Sequence, residues 1–133
     1  MKKIEHIGIA VKDLAASEKL FESLLGCPVY KRESVESEGV TTSFILLGET
    51  KIELLAATRN DSPIAKFIAK RGEGIHHIAF EVDNIQKMID EKSQNGFEMI
   101  HSQPKDGADN KLIAFFHPKS TGGVLTEICQ EKK

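Results

Sequence analysis

The sequence predicts an α+β fold of two paired βαβββ modules, whose open sheet faces combine into one curved mixed sheet around a cavity. Three observations predict it. The stretch IEHIGIAVKDL near the start returns about half the chain later as IHHIAFEVDNI, with His6 and His77 at the same letter of each copy. Each copy runs into an apolar-periodic segment that closes on a glycine, and each of those is followed by three short strand-like runs. Self-similarity at that period is the mark of a duplicated unit.

The elements follow in order. IGIAV alternates as a strand. DLAASEKLFESLLG then reads as a helix with Leu14, Leu20, Phe21, Leu24 and Leu25 on its apolar face and Gly26 at the position that ends a helix in the left-handed conformation. PVYKRE, TTSFILL and KIELLA are the next strands, the last two joined by the turn GET. Residues 57–74, ATRNDSPIAKFIAKRGEG, form a connector with its own helix: Ser62 is the N-cap, Pro63 the first helical residue, and Gly72 and Gly74 lie past the end. The second half repeats the plan with HIAFEV, the helix DNIQKMIDEKSQNG with Ile85, Met88 and Ile89 on one face and Gly96 closing, and the strands FEMIH, KLIAFF and VLTEIC. The expected division is module one at 1–56, the connector at 57–74 and module two at 75–133. A five-element module cannot bury both faces of its small sheet, so the two copies are expected to pair.

Composition narrows the partners. The 18 Lys and Arg residues are scattered and nearly balance the 20 Asp and Glu residues, so no basic stripe invites nucleic acid or an anionic membrane. The positive start MKK leads into an apolar run broken by His6 and Gly8, with no cleavage site after it, and no other run is long enough to span a bilayer. Cys27 and Cys129 are far apart and lack metal-type spacing, so they read as packed thiols of a reducing compartment. A cytoplasmic protein is expected.

Alternation along the strands places Ile7, Ile9 and Val11 toward the helix of the first module, with His6, Gly8 and Ala10 on the other face. In the second module Ile78, Phe80 and Val82 oppose His77, Ala79 and Glu81. The last strand of each half carries an acid among apolar residues, Glu53 in KIELLA and Glu127 in VLTEIC. A carboxylate in such a setting is costly to desolvate unless a positive group meets it. Two neutral imidazoles and two carboxylates sum to a charge that one divalent cation offsets, and mixed N/O ligation suits Mn, Fe, Co, Ni or Zn. His6, Glu53, His77 and Glu127 are therefore the expected ligands of a single metal ion, with positions left open for substrate. His76 has the other parity and aligns with Glu5. His101 and His117 have no repeated partner and are read as surface or supporting residues.

With these residues in place, the chain resembles the vicinal oxygen chelate superfamily, whose members pair βαβββ modules in a glyoxalase-like fold around a divalent metal. Within it the sequence is similar to the methylmalonyl-CoA epimerases over nearly its whole length. HIGIAVKDL carries only the superfamily likeness, whereas DSPIAKFIAKRGEGIHHIAFEVDNI and HPKSTGGVLTEICQ carry the narrower one. The resemblance implies metal ligation by His6, Glu53, His77 and Glu127, with cobalt, manganese, nickel or zinc as the ion. It implies an isomerase that interconverts the two C2 epimers of a CoA thioester by proton abstraction through a metal-stabilised enolate, with Glu127 first and Glu53 second among the candidate proton carriers. A catalytic glutamate of some epimerases falls on the strand that here reads GVTTSFILL, near Thr42, where no acid stands. Lys111, Lys119 and the backbone from Ser120 to Gly123 are the candidate groups for the substrate carboxylate and the CoA phosphates, and exposed strand edges make a homodimer the expected assembly. Three other activities of the superfamily compete. Glyoxalase I shares the ligand set, extradiol dioxygenases need two His and one carboxylate on iron, and non-enzymatic members hold small molecules without metal.

Overall fold

In the computed structural model, residues Met1–Lys132 are described; Lys133, the last residue of the expected second module, lies outside them. The chain divides into two compact units, one of residues His6–His76 and one of Met1–Glu5 together with the chain from His77 onward.

The first unit holds most of β1 (Lys3–Ala10), then α1 (Leu14–Leu25), β2 (Val29–Val35), a 3-10 turn at Glu36–Glu38, β3 (Val40–Leu47), β4 (Thr50–Ala57) and α2 (Pro63–Arg71). Its strands lie in the order β2-β3-β4-β1. β1 runs parallel to β4, and β2 to β3 and β3 to β4 are antiparallel, so the sheet is mixed. Asp13 caps α1 by accepting from the Ala16 N–H at 3.0 Å, and Gly26 ends it at φ +70 with its N–H on the Glu22 carbonyl. Ser62 caps α2 in the same way through Ala65, with Pro63 in the first turn as expected.

Ile52, Leu54 and Ala56 of β4 pack with Ile9, Val11, Leu14 and Phe21, which seats α1 on one sheet face. On the opposite face, Ala10, Val40 and Leu55 meet Ile64, Phe67 and Ile68 of α2. The apolar face expected for α1 is corrected: Leu14 and Phe21 face the sheet, but Leu20 and Leu24 are 61% and 71% exposed. At 100° per residue they stand a quarter-turn round from Phe21 and Leu25, outside the stripe that contacts β4.

Glu18 fastens α1 to the sheet. Its carboxylate accepts from Arg32 Nε at 2.6 Å and Nη2 at 2.5 Å, and from the Ser43 hydroxyl. The Arg32 hydrogen bonds, assisted by Ser43, hold its pKa below the ordinary carboxylate value. A depressed native pKa gives stability that is present above the unfolded-state value, near 4.3, and is lost as pH falls through the native one. Glu18→Gln should therefore flatten the acid limb of the stability-pH curve below about pH 5 while changing its slope little near neutrality, as read by urea midpoints across a pH series.

The second unit holds β5 (Gly74–Glu81, from His77 on), α3 (Ile85–Gln94), β6 (Lys105–Asp106), β7 (Lys111–Phe116), a 3-10 turn at Pro118–Ser120 and β8 (Thr126–Glu131), in the order β5-β8-β7-β6. Again the outer two pairs are antiparallel and β5 runs parallel to β8. Val82, Ile85, Ile89, Ala114, Phe116 and Ile128 form its core beneath α3.

FEMIH is not the strand the sequence led one to expect. It follows β7 only through a bridge at Met99 and single hydrogen bonds from Ile100 N–H to the Phe115 carbonyl and from His117 N–H to the Glu98 carbonyl. Its entry is held by the end of α3, where Phe97 N–H bonds the Lys92 carbonyl. Regular pairing resumes only at β6, just past Pro104. Proline lacks the N–H that a ladder needs. Both halves nonetheless carry the βαβββ order. No helix among the described residues is long and apolar enough to cross a membrane, which says nothing about spanning by strands.

Candidate metal centre

The site is built twice, by the same register. In the first unit β1 and β4 align Gly8 with Glu53, so the carboxylate rises beside a residue with no side chain, one step along from His6. In the second unit β5 and β8 align Ala79 with Glu127, which stands in the same relation to His77. The small residue two positions after each histidine leaves the space into which both the ring and the acid turn. His6 Nδ1 lies 3.2 Å from Glu53 Oε2, and His77 Nε2 lies 3.3 Å from Glu127 Oε1. All four side chains are 5% exposed or thereabouts.

Such a pair has two uses. An imidazole nitrogen and a carboxylate oxygen at that distance either share a proton or turn their lone pairs toward a common cation. Burial of both partners makes either arrangement necessary, since an isolated carboxylate in this setting would be costly. The donor types, one nitrogen and one oxygen from each half, are those of a divalent transition metal, so the residues fit the group that the sequence implies.

Aromatic residues flank each acid. Phe44 stands opposite Glu53 across β3 and β4, and Phe115 stands opposite Glu127 across β7 and β8. Phe115 also meets the His77 ring edge-on at 5.6 Å between centroids, and the His101 ring lies 6.1 Å from it, tilted. Lys31 sits with its ammonium 4.9 Å from the centroid of Phe44.

The remaining expected residues divide. Lys119 is exposed in its 3-10 turn, with Nζ 3.1 Å from Glu98. Lys111 is buried, and its Nζ lies 3.9 Å from Glu5 and 3.5 Å from Glu131. Both lysines are ion-paired, and what separates them is burial: Lys119 reaches solvent and Lys111 does not. His76, the residue beside His77, packs edge-on against Phe67 instead. His117 accepts from the Lys119 N–H through Nδ1 and shapes the turn. Glu5 was missed by sequence reasoning because it has the helix-side parity in its strand, yet it is only 3% exposed. Nothing in the pattern of the chain signals its pairing with a lysine so far away in sequence.

The two cysteines are free, Cys27 half-buried and Cys129 fully buried. Burial, with the nearby negative charge of Glu127 and Glu5, pushes the Cys129 thiol far above its ordinary pKa. It stays protonated, with Sγ directed at the Phe80 carbonyl, and packs as a small apolar residue.

Residues 5–115 match the model of the Glyoxalase/Bleomycin resistance protein/Dioxygenase superfamily. An ethylmalonyl-CoA/methylmalonyl-CoA epimerase of Cereibacter sphaeroides is 40% identical over 130 residues, 96% of this chain and 97% of that one. The chain belongs to this superfamily and to its methylmalonyl-CoA epimerase family. The mitochondrial methylmalonyl-CoA epimerase of Homo sapiens is 38% identical over 129 residues, 96% of this chain and 73% of the relative. A solved methylmalonyl-CoA epimerase in complex with methylmalonyl-CoA and NH4+ superposes with a TM-score of 0.94 at 34% identity, covering 98% of this chain and 95% of the other. The fold is thus the glyoxalase-like α+β fold of the epimerases.

Proposed function

We propose that the chain is a metal-dependent epimerase that interconverts the (R) and (S) forms of methylmalonyl-CoA. The observation that carries this reading is the buried His–Glu pair repeated in both halves, each acid opposite a Gly or Ala, in a chain related over nearly its full length to named epimerases. His6, Glu53, His77 and Glu127 hold one divalent ion, with cobalt, manganese, nickel and zinc all suited to the donors. When bound, the ion supplies Lewis-acid charge for the enolate that forms as C2 loses its proton.

The residues of the chain do the rest. C2 lies between a thioester carbonyl and a carboxylate, so its hydrogen is acidic, and a carboxylate within hydrogen-bond reach removes it. Glu127 is the first proton carrier, and Glu53 is its counterpart in the other half. Phe44 and Phe115, each facing one of those acids, keep water from the reacting carbon and so strengthen the electrostatic interactions there. Lys119 receives the anionic end of the CoA moiety; of the backbone groups expected to help it, the Ser120, Thr121 and Gly123 N–H groups donate instead to the His117 and Pro118 carbonyls within the turn. We assign the working protein to the cytoplasm as a homodimer.

Incubating metal-loaded protein in D2O with racemic methylmalonyl-CoA, and separately with one pure epimer, tests the reading. Deuterium should enter C2 and one pure epimer should become a mixture. Absence of both, alongside turnover of methylglyoxal with glutathione, would replace this activity by that of glyoxalase I.

A further inference from the structure

Inverting a carbon centre by proton transfer needs a carrier on each side of it, and a carboxylate committed to a cation is a weakened base. We propose, resting on the epimerase reading, that Glu33 of β2, in place of the metal-held Glu53, is the second proton carrier beside Glu127, standing off the metal. β2 and β3 align Lys31 with Phe44 and Glu33 with Thr42, while β3 and β4 align Phe44 with Glu53 and Thr42 with Leu55. Residues directly opposite one another in antiparallel strands project to the same face. Glu33 therefore shares the face of Glu53.

Their separation suits the task. Two strand spacings across and two residues along place the Cα atoms of Glu33 and Glu53 about 12 Å apart. Two glutamate side chains reaching inward across that distance leave room for one substrate carbon between their carboxylates. Between them lie Thr42, which is 1% exposed, and Phe44, which is 0% exposed, neither of which titrates. Beyond them Val35, Val40, Leu55 and Ala10 are closed over by α2, so this face ends in an apolar wall on the far side of Glu33. The Glu33 side chain is 33% exposed and lies 3.3 Å from Lys31 Nζ, which aims the carboxylate and leaves it open to a ligand and to solvent.

The step balances. Glu33 takes the C2 proton as the C–H electron pair becomes the enolate, and a protonated carboxylate on the other side returns a proton to C2. The enzyme then holds one proton in place of the other and resets by exchange with water. In the reverse direction the two acids trade roles.

The test follows each pure epimer separately in D2O with Glu33→Gln, recording both inversion and deuterium uptake at C2. Inversion should fall by about 10²–10⁴-fold. One epimer should still take up deuterium at nearly the wild-type rate with its configuration unchanged, while the other stops exchanging. Lys31→Ala, which removes the ion pair and the contact with Phe44 but leaves the carboxylate, should slow inversion less than Glu33→Gln does, and metal affinity should be unchanged in both variants. Wild-type inversion rates in Glu33→Gln, or equal loss of exchange from both epimers in a folded, metal-binding variant, would overturn the proposal. A wild-type protein that neither inverts nor exchanges the thioester would instead sink the epimerase reading itself.

Discussion

Glu127→Gln should lower inversion of methylmalonyl-CoA, and C2 hydrogen exchange in the epimer whose proton it takes, by about 10²–10⁴-fold, the usual worth of a positioned proton carrier. The substitution is nearly isosteric, so the buried position and the contact 3.3 Å from His77 are kept. What it removes is the ability to accept a proton at that oxygen. A carboxamide is also a poorer partner for a cation, so metal content must be measured on the same sample. Retained metal with lost exchange assigns the effect to proton transfer, and loss of both assigns it to ligation. Exchange at the normal rate in both epimers would remove Glu127 from the chemistry.

Ile128→Ala should cost about 2–5 kcal/mol of stability. Ile128 is 0% exposed, in the cluster of Val82, Ile85, Ile89, Ala114 and Phe116 that seats α3 on its sheet. Met88 and Met99, flexible side chains packed against the cluster, can fill part of the space, so the loss depends on how far they move in. Urea unfolding should show a lower midpoint at an unchanged slope, as expected when stability falls without altering the surface exposed on unfolding. Ile128 and Glu127 project to opposite faces, so the folded fraction should keep its turnover. A midpoint within error of the wild type would mean that α3 is not packed as described.

Much of this was legible in the chain because duplication turns weak signals into paired ones. A lone histidine in a strand says little, but His6 and His77 recur at one place in a repeated motif, and so do Glu53 and Glu127. Alternation then fixed their shared face, and the ladders of β1 with β4 and β5 with β8 place each acid beside its histidine as that parity requires. The helix caps were readable for a local reason: Ser62, Pro63 and Gly26 act through their own backbone. Long-range pairing left no such trace. The burial of Lys111 by Glu5 and Glu131 depends on strands far apart in sequence, and the face of Glu33 depends on a strand register across a bulge between Val29 and Lys31. Periodicity also misled where it was read loosely, as with Leu20 and Leu24 on α1, and where backbone chemistry overrode it, as in FEMIH.

The central claim is that the two His–Glu pairs serve one cation together. Metal binding should be measured by titrating cobalt(II) or manganese(II) into metal-free protein and into the His6→Ala and His77→Ala variants. One equivalent per chain for the wild type, with the tight site lost in each variant alone, is the predicted result. Two equivalents per chain, or full binding that survives the loss of either histidine, would contradict it.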